Sequence, residues 1–402
     1  MRKHHNAFSW TLILLSTLPL VWAVPAQKKA ATANPSVIIP KPQATIIGST
    51  DLNKIDKFNG IPFALPPIAH LRLKRPQPIQ TSIGTIKATS TEITNAAEDC
   101  LTLDVRRPFG TQPDAKLPLL VWIFGGGFEQ GPTAIYNGSK FVASSVKLGM
   151  LVIFVAMNYR LGGFGFLPGA EILKDGPANL GLMDQLLALQ WVANNIAAFG
   201  MAIYDGDNTY NGAPLFRSAI MNSGSIVPAN PVDGTKAQVG LDYTKFLHAA
   251  NSVPGILGYK SVAESYLHRP DGMVLTESPE QLVIQGKYAS VPFIVGDQED
   301  EGTVFSLFHT NFTTTDHIVD YLQSLFFFNA SRQQITDLVA TYQDIKADGP
   351  PFRTTSLYNW YLQYKRLEAI LGDLSFTLTR RAFLNYAQKA KPDVPSWSYL
   401  SS

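Results

Sequence analysis

Short apolar runs punctuated by glycine dominate the middle of the chain. Leu119–Phe124 (LLVWIF) is unbroken, rich in β-formers and closed by Gly125-Gly126-Gly127, which predicts a strand covered on both faces of a parallel sheet. Leu151–Ala156 predicts a second such strand, and Tyr136–Val146 can supply the helix that crosses between them. Leu180–Phe199 is predicted as an amphipathic helix with Leu182, Leu186, Leu189 and Val192 on one side. Asp184 and Gln185 fall near its start, where negative charge suits the helix dipole. Phe216–Asn222, Val291–Gly296 and Ser396–Leu400 predict later strands. Thr315–Lys346 and Leu357–Gln388 predict the helices of a C-terminal cap region. Tyr321–Phe327 is aromatic enough to suggest a pocket, but core packing is the simpler expectation. This alternation predicts an α/β fold with a mostly parallel central sheet flanked by helices.

The first residues follow another pattern. Arg2, Lys3, His4 and His5 precede the apolar Thr11–Trp22, and Val21-Trp22-Ala23 offers small residues at the −3 and −1 positions of a cleavage site. Residues 1–23 therefore predict a signal peptide, with an apolar core too short to span a bilayer. Residues 24–43 are Ala-, Pro- and Lys-rich up to Pro40 and predict a flexible lead-in. The main domain is expected over 44–402, starting with a β-hairpin region from Ala44 and an extended turn at Pro66 and Pro67.

With 402 residues, 46% of them hydrophobic and 16% charged, the chain can bury a large core. A net charge of +2 gives no case for a nucleic-acid partner. No later segment predicts a membrane span, so a secreted protein is expected. Secretion makes the tripeptides at Asn137, Asn311 and Asn329 candidate glycosylation sites. Cys100 is the only cysteine, which in an oxidising compartment predicts a buried free thiol.

The glycines after Phe124 allow backbone N–H groups to approach a ligand where a Cβ would obstruct, and a strand's C-terminal end is where open α/β sheets place their sites. Neither G-x-G-x-x-G nor G-x-x-x-x-G-K-[ST] fits here. The acidic stretch Asp297–Glu301 reads as a solvated loop or as a reactive acid. Neither this stretch nor Asp205–Gly212 has calcium-loop spacing, so no metal is expected.

Five ordered blocks surround the glycines: NGIPFALPP from Asn59, EDCLTLDV from Glu98, NYRLGGFGF from Asn158, NLGLMDQLLALQWVANNIAAFG from Asn179 and GDQEDEGT from Gly296. With them, the chain resembles the type-B carboxylesterase family, and especially its secreted fungal lipase-like branch, between roughly Thr45 and Leu400. The resemblance implies an α/β-hydrolase fold, a monomer that hydrolyses a small-molecule or lipid ester by a Ser-His-Glu mechanism, and no cofactor. It implies Glu301 as the acid of the triad and Gly126 and Gly127 as oxyanion donors. It also implies a partner cysteine for Cys100 across a lid loop, where this chain has neither the cysteine nor more than a short polar connection.

Two departures follow. The resemblance implies a strand, a G-x-S-x-G elbow and a helix after Gly200. Here Gly200 runs through Met201–Tyr204 into the polar DGDNTYNG, and G-x-S-x-G occurs nowhere in the chain. The histidine is expected on a loop after the last strand, and the sequence stops at Ser402. His70, His248, His268, His309 and His317 are expected to be surface or core residues, and Ser223 a structural one. The expectation is an esterase scaffold lacking its nucleophile elbow and C-terminal end, inactive as written. The alternatives are a catalytically dead binding protein and an incomplete product.

Overall fold

A computed structural model describes residues 34–89, 97–199, 209–211, 213–229 and 242–402, so the expected signal peptide lies outside the described residues. The expected lead-in does not extend to residue 43. Strand β1 (Ser36–Pro40) pairs antiparallel with β2 (Gln43–Ile47), setting Ser36 opposite Ile47. The reason is the alternation in SVIIP and QATII, which buries Val37, Ile39, Ala44 and Ile46. Strand β5 (Gly84–Lys87) adds in parallel to β2.

The main sheet contains β3 (Ser49–Thr50), β4 (Ile55–Pro62), β6 (Thr102–Pro108), β7 (Leu119–Ile123) and β8 (Ile153–Met157), in the order β3-β4-β6-β8-β7. It is mixed, where a mostly parallel sheet was expected: only β7 and β8 run parallel, and the other pairings are antiparallel. A two-strand hairpin, β9 (Thr209–Tyr210) with β10 (Ala213–Pro214), stands apart. A further sheet is wholly parallel, with β11 (Ala219–Asn222), β12 (Phe293–Gln298) and β13 (Ser396–Ser401) in that order.

The helices are α1 (Ser139–Lys147), α2 (Gly162–Phe166), α3 (Ala170–Asp175), α4 (Leu180–Asn195), α5 (Tyr243–Asn251), α6 (Pro279–Ile284), α7 (Gly302–Ser306), α8 (Thr315–Leu325), α9 (Arg332–Ala340), α10 (Tyr364–Gly372) and α11 (Leu378–Ala390). Three main cores result. Ile39, Ile46, Phe58, Leu103 and Val155 from the sheets meet Ala188, Trp191 and Phe199. Val295 and Phe293 of β12 pack with Val283 and Phe383, and α8, α9 and α10 enclose Tyr321, Leu322, Val339, Leu367 and Ile370. Tyr321 is thus a core residue, as expected. Ser331 opens α9 with a capping box, its hydroxyl accepting from the Gln334 N–H at 3.3 Å.

Strands β7 and β8 carry the same apolar pattern but differ in cover. All five residues of β8 are buried, whereas β7 is only half-buried and Ile123 is 41% exposed. The expectation of cover on both faces fails for β7, because among the described residues β8 is its only strand neighbour. Strand β11 is the corresponding edge of the parallel sheet, with Ile220 58% exposed.

Helix α4 also departs from expectation. Its buried positions are Leu180, Gly181, Asp184, Ala188, Trp191, Val192 and Asn195, while Leu186 is exposed. Asp184 is not a solvated residue serving the helix dipole. It is buried and accepts from Arg160 Nε at 2.8 Å, Arg160 Nη2 at 2.7 Å and the Arg160 N–H at 3.0 Å. A bidentate guanidinium–carboxylate pair satisfies the charge that burial would otherwise penalise.

Candidate functional site

The glycine segment leaves β7 in a conformation that requires glycine. Gly126 has φ 135° and Gly127 φ 58°. A Cβ on Gly126 would stand 2.0 Å from Gln130 O, and one on Gly127 would stand 2.5 Å from both Glu264 Oε1 and Ile256 Cδ1. The turn closes through Gly126 O, which accepts from the Glu129 and Gln130 N–H groups at 3.1 and 3.2 Å. Among the described residues, no acceptor takes the N–H of Gly126 or Gly127.

Glu129 fixes this turn to the chain around residues 254–266. Its Oε1 accepts from Ser265 N at 2.9 Å and Tyr266 N at 3.2 Å, and its Oε2 from Ile256 N at 2.6 Å. Tyr159, stacked on Phe124 at 4.6 Å, donates its hydroxyl to Phe124 O at 2.8 Å. The sequence reading missed Glu129 and Tyr159. The glutamate directly after GGGF was the available signal.

Glu301 stands at the end of β12 and precedes α7. Its Oε1 accepts from the Gln298 N–H at 2.8 Å and from the Ser223 hydroxyl. Ser223, at the end of β11 with φ 59°, is therefore brought to the acid, a contact the sequence reading did not anticipate. The neighbouring acids are each engaged elsewhere. Asp297 is buried against Arg380 at 2.9 Å, Glu299 pairs with Arg353, and Asp300 accepts from Phe352 N at 3.0 Å. A uniformly solvated acidic loop is thereby ruled out as the description of this stretch.

The chain around 254–266 connects the two regions. Besides its bonds to Glu129, Ser261 Oγ donates to Phe305 O of α7 at 2.9 Å, and Tyr259 O meets His309 Nε2 at 2.9 Å. None of the five histidines expected to be structural bonds to Glu301 among the described residues. His309 and His268 are buried, while His70, His248 and His317 are exposed. His268 lies edge-on to Phe128 at 5.1 Å, and burial pulls its imidazole down to about 4.

A cavity of about 850 Å³ opens beside the glycine turn, lined among others by Phe124, Glu129, Tyr159, Phe164, Ile256 and Tyr266. Cys100 also lines it, half-buried and free, with its thiol pushed up to about 12 by burial. No group of three or more His, Cys, Asp or Glu side chains arranged to hold a metal exists among the described residues.

Two glutamates, Glu368 buried and Glu264 half-buried, set the pH response. Burial pushes Glu264 up to about 8, aided by the neighbouring Glu129 charge, and pushes Glu368 up to about 8 as well. Unfolded, such carboxyls titrate near 4.5 and histidine near 6.5. Acidic of 6.5, histidines held neutral by burial oppose the glutamates. Between pH 6.5 and 8 the unfolded imidazoles lose the remaining half of their charge, a smaller opposing effect, and the folded chain alone retains the glutamate protons. Stability must then fall as pH rises across that window. The denaturant midpoint at pH 8 is expected to lie below that at pH 6.5 by the equivalent of roughly 1–3 kcal/mol. The Glu264→Gln/Glu368→Gln double variant should flatten the trend. A wild-type midpoint that rises with pH in this window would refute the assignment.

Comparison with known proteins identifies the class. Residues 41–202 match the profile described as "Carboxylesterase family". "Secreted lipase 1" of Botryotinia fuckeliana is 50% identical over 454 aligned residues, covering 94% of this chain and 79% of that protein. "Lipase 2" of Diutina rugosa is 41% identical, covering 93% of this chain and 80% of its own length. The crystal structure of Aspergillus niger EstA superposes with a TM-score of 0.70 at 23% identity, covering 92% of this chain and 77% of that one. The fold is that of the α/β-hydrolases. The chain belongs to the carboxylesterase family.

Proposed function

We propose that this chain carries the scaffold of a secreted carboxylic ester hydrolase of the Ser-His-Glu type, with its nucleophile-bearing segment wanting. In this reading Gly126 and Gly127 supply oxyanion donors, Glu301 is the acid placed to orient a histidine that none of the described histidines supplies, Ser223 fixes Glu301, and the cavity beside Phe124 receives a small-molecule or lipid ester. The observation that carries it is the interruption of the sheet. Strands β7 and β11 are both half-covered edges of parallel pairings, and among the described residues each has a strand neighbour on one side only. A G-x-S-x-G strand–turn–helix after Gly200 is the element of this fold that would fill that place. Alignment lengths support the same reading. The 454 positions aligned with "Secreted lipase 1" exceed the 402 residues of the whole chain, so the relative contains sequence with no counterpart here.

Sequencing the whole transcript, across the Gly200–Met201 junction above all, tests the proposal. An encoded strand–elbow–helix together with a histidine that reaches Glu301, with aryl-ester turnover by the resulting protein, is the expected result. A transcript identical to this chain, folding cleanly and binding acyl ligands without turnover, would favour a non-catalytic binding protein instead.

Secretion is part of the same proposal, since "Secreted lipase 1" carries that word in its name and no described helix is long and apolar enough to cross a membrane. Asn137, Asn311 and Asn329 are all exposed, which suits the glycan acceptors we take them to be. Treatment of protein from a secreting eukaryotic host with an N-glycan-removing amidase should convert them to Asp. Unmodified Asn at all three positions would count against glycosylation.

A further inference from the structure

Gly127 rests against a carboxyl group that the proposed chemistry does not use. Glu264 lies in the 254–266 chain at φ 34°, and its Oε1 is one of two atoms, with Ile256 Cδ1, that a Cβ on Gly127 would strike at 2.5 Å. Glu264 is half-buried, and among the described residues no hydrogen bond reaches its carboxyl group. Two titratable groups face it from other elements. One is Glu129, whose oxygens already accept three backbone N–H groups. The other is Tyr159, whose hydroxyl is committed to Phe124 O. Tyr266, on the same loop as Glu264, faces Glu129. None of these is a cation.

We propose that Glu264 is a positioning residue for the glycine turn, a carboxylic acid that must stay neutral for Gly126 and Gly127 to present their N–H groups to a negatively charged oxygen. The purpose of this arrangement rests on the oxyanion reading above, but the contact itself does not. A neutral carboxyl fills the slot beside Gly127 and adds little field. A carboxylate there would oppose any anion held by the turn and would be repelled by the neighbouring Glu129 charge, with no cation to offset it. Glu129 cannot move away without releasing three N–H groups, so relief must come from displacement of Glu264 and of the turn packed on it. Burial and Glu129 together set that event at about pH 8.

Hydrogen exchange on the intact chain tests this, read on peptides spanning 124–131 and corrected for the intrinsic pH dependence of exchange. Wild-type protection of these peptides should drop about tenfold or more between pH 6.5 and 9. Peptides from α8 should change far less. Glu264→Gln, neutral at every pH, should keep the peptides protected throughout. A wild-type profile without a transition overturns the proposal, and so does a transition shared by Glu264→Gln. If Glu264→Gln fails to fold, Glu129→Gln decides, because removing the neighbouring charge should move the transition to lower pH. An unmoved transition in that variant overturns the proposal. Exchange reads the turn whether or not an ester is hydrolysed, so its failure and that of the ester-hydrolase reading are separable.

Discussion

Purified as the 402-residue chain, the protein is expected to show no serine-dependent turnover of a short-chain aryl ester and to take no label from a serine-directed organophosphate. Loss of a catalytic serine alone lowers kcat by about 10⁶ in a serine hydrolase, leaving only what binding and oxyanion donors contribute. The serine best placed to contradict this expectation is Ser223, at the end of a parallel strand. Its hydroxyl proton already points to Glu301, it has no histidine partner among the described residues, and Met221 and Ser225 stand two residues before and after it, where the G-x-S-x-G elbow has glycine. A hydroxyl bound to a carboxylate without an imidazole relay is not an activated nucleophile. Organophosphate adducts mapped to Ser223 would overturn this account, as would aryl-ester turnover abolished by Ser223→Ala.

The largest stability effect is expected at the Arg160–Asp184 pair. The two side chains are 3% and 0% exposed, and together they tie the chain after β8 to α4. Arg160 also donates Nη1 to Lys74 O at 2.7 Å, so the same guanidinium secures a third segment. Removing one partner leaves an unpaired buried charge. Asp184→Ala and Arg160→Ala should each cost about 3–5 kcal/mol. Replacing both with apolar residues of similar volume, Arg160→Met with Asp184→Leu, should cost less than the sum of the single changes, because no orphan charge remains. The measurement is the denaturant midpoint. Single variants within about 0.5 kcal/mol of wild type would show that the pair is not intact in solution.

Much of this was legible in the sequence. Strand β8 was readable because five successive apolar residues have few other uses, and the later strands and cap helices followed from similar patterns. Strand β7 shows where such reading stops. Its pattern records the cover the sequence is built for, whereas exposure depends on which strands stand beside it. In α4 the leucines suggested one face, but the buried face is built from small residues, Trp191 and a carboxylate. That carboxylate could be buried only because Arg160 meets it from 24 residues earlier in the chain. Glu301, Gly126 and Gly127 came from resemblance, since an acid in an acidic stretch and a run of glycines carry little information alone. Glu129, Glu264 and Ser223 were not legible. Their roles arise from contacts made across 78 to 137 residues of intervening chain.

The capping box at Ser331 bears on how the proposed third glycan can be tested. Ser331 is the hydroxyl residue of the Asn329 tripeptide and also the N-cap of α9, so one hydroxyl would serve recognition of the proposed acceptor during synthesis and helix initiation afterwards. Deleting the acceptor through Asn329→Gln removes the sugar alone. Deleting it through Ser331→Ala also strips the cap, at about 1 kcal/mol, and loosens the helix whose Ile335 and Val339 close the cap-region core. The two deletions are therefore unequal controls, and a phenotype confined to Ser331→Ala would report the helix rather than the carbohydrate.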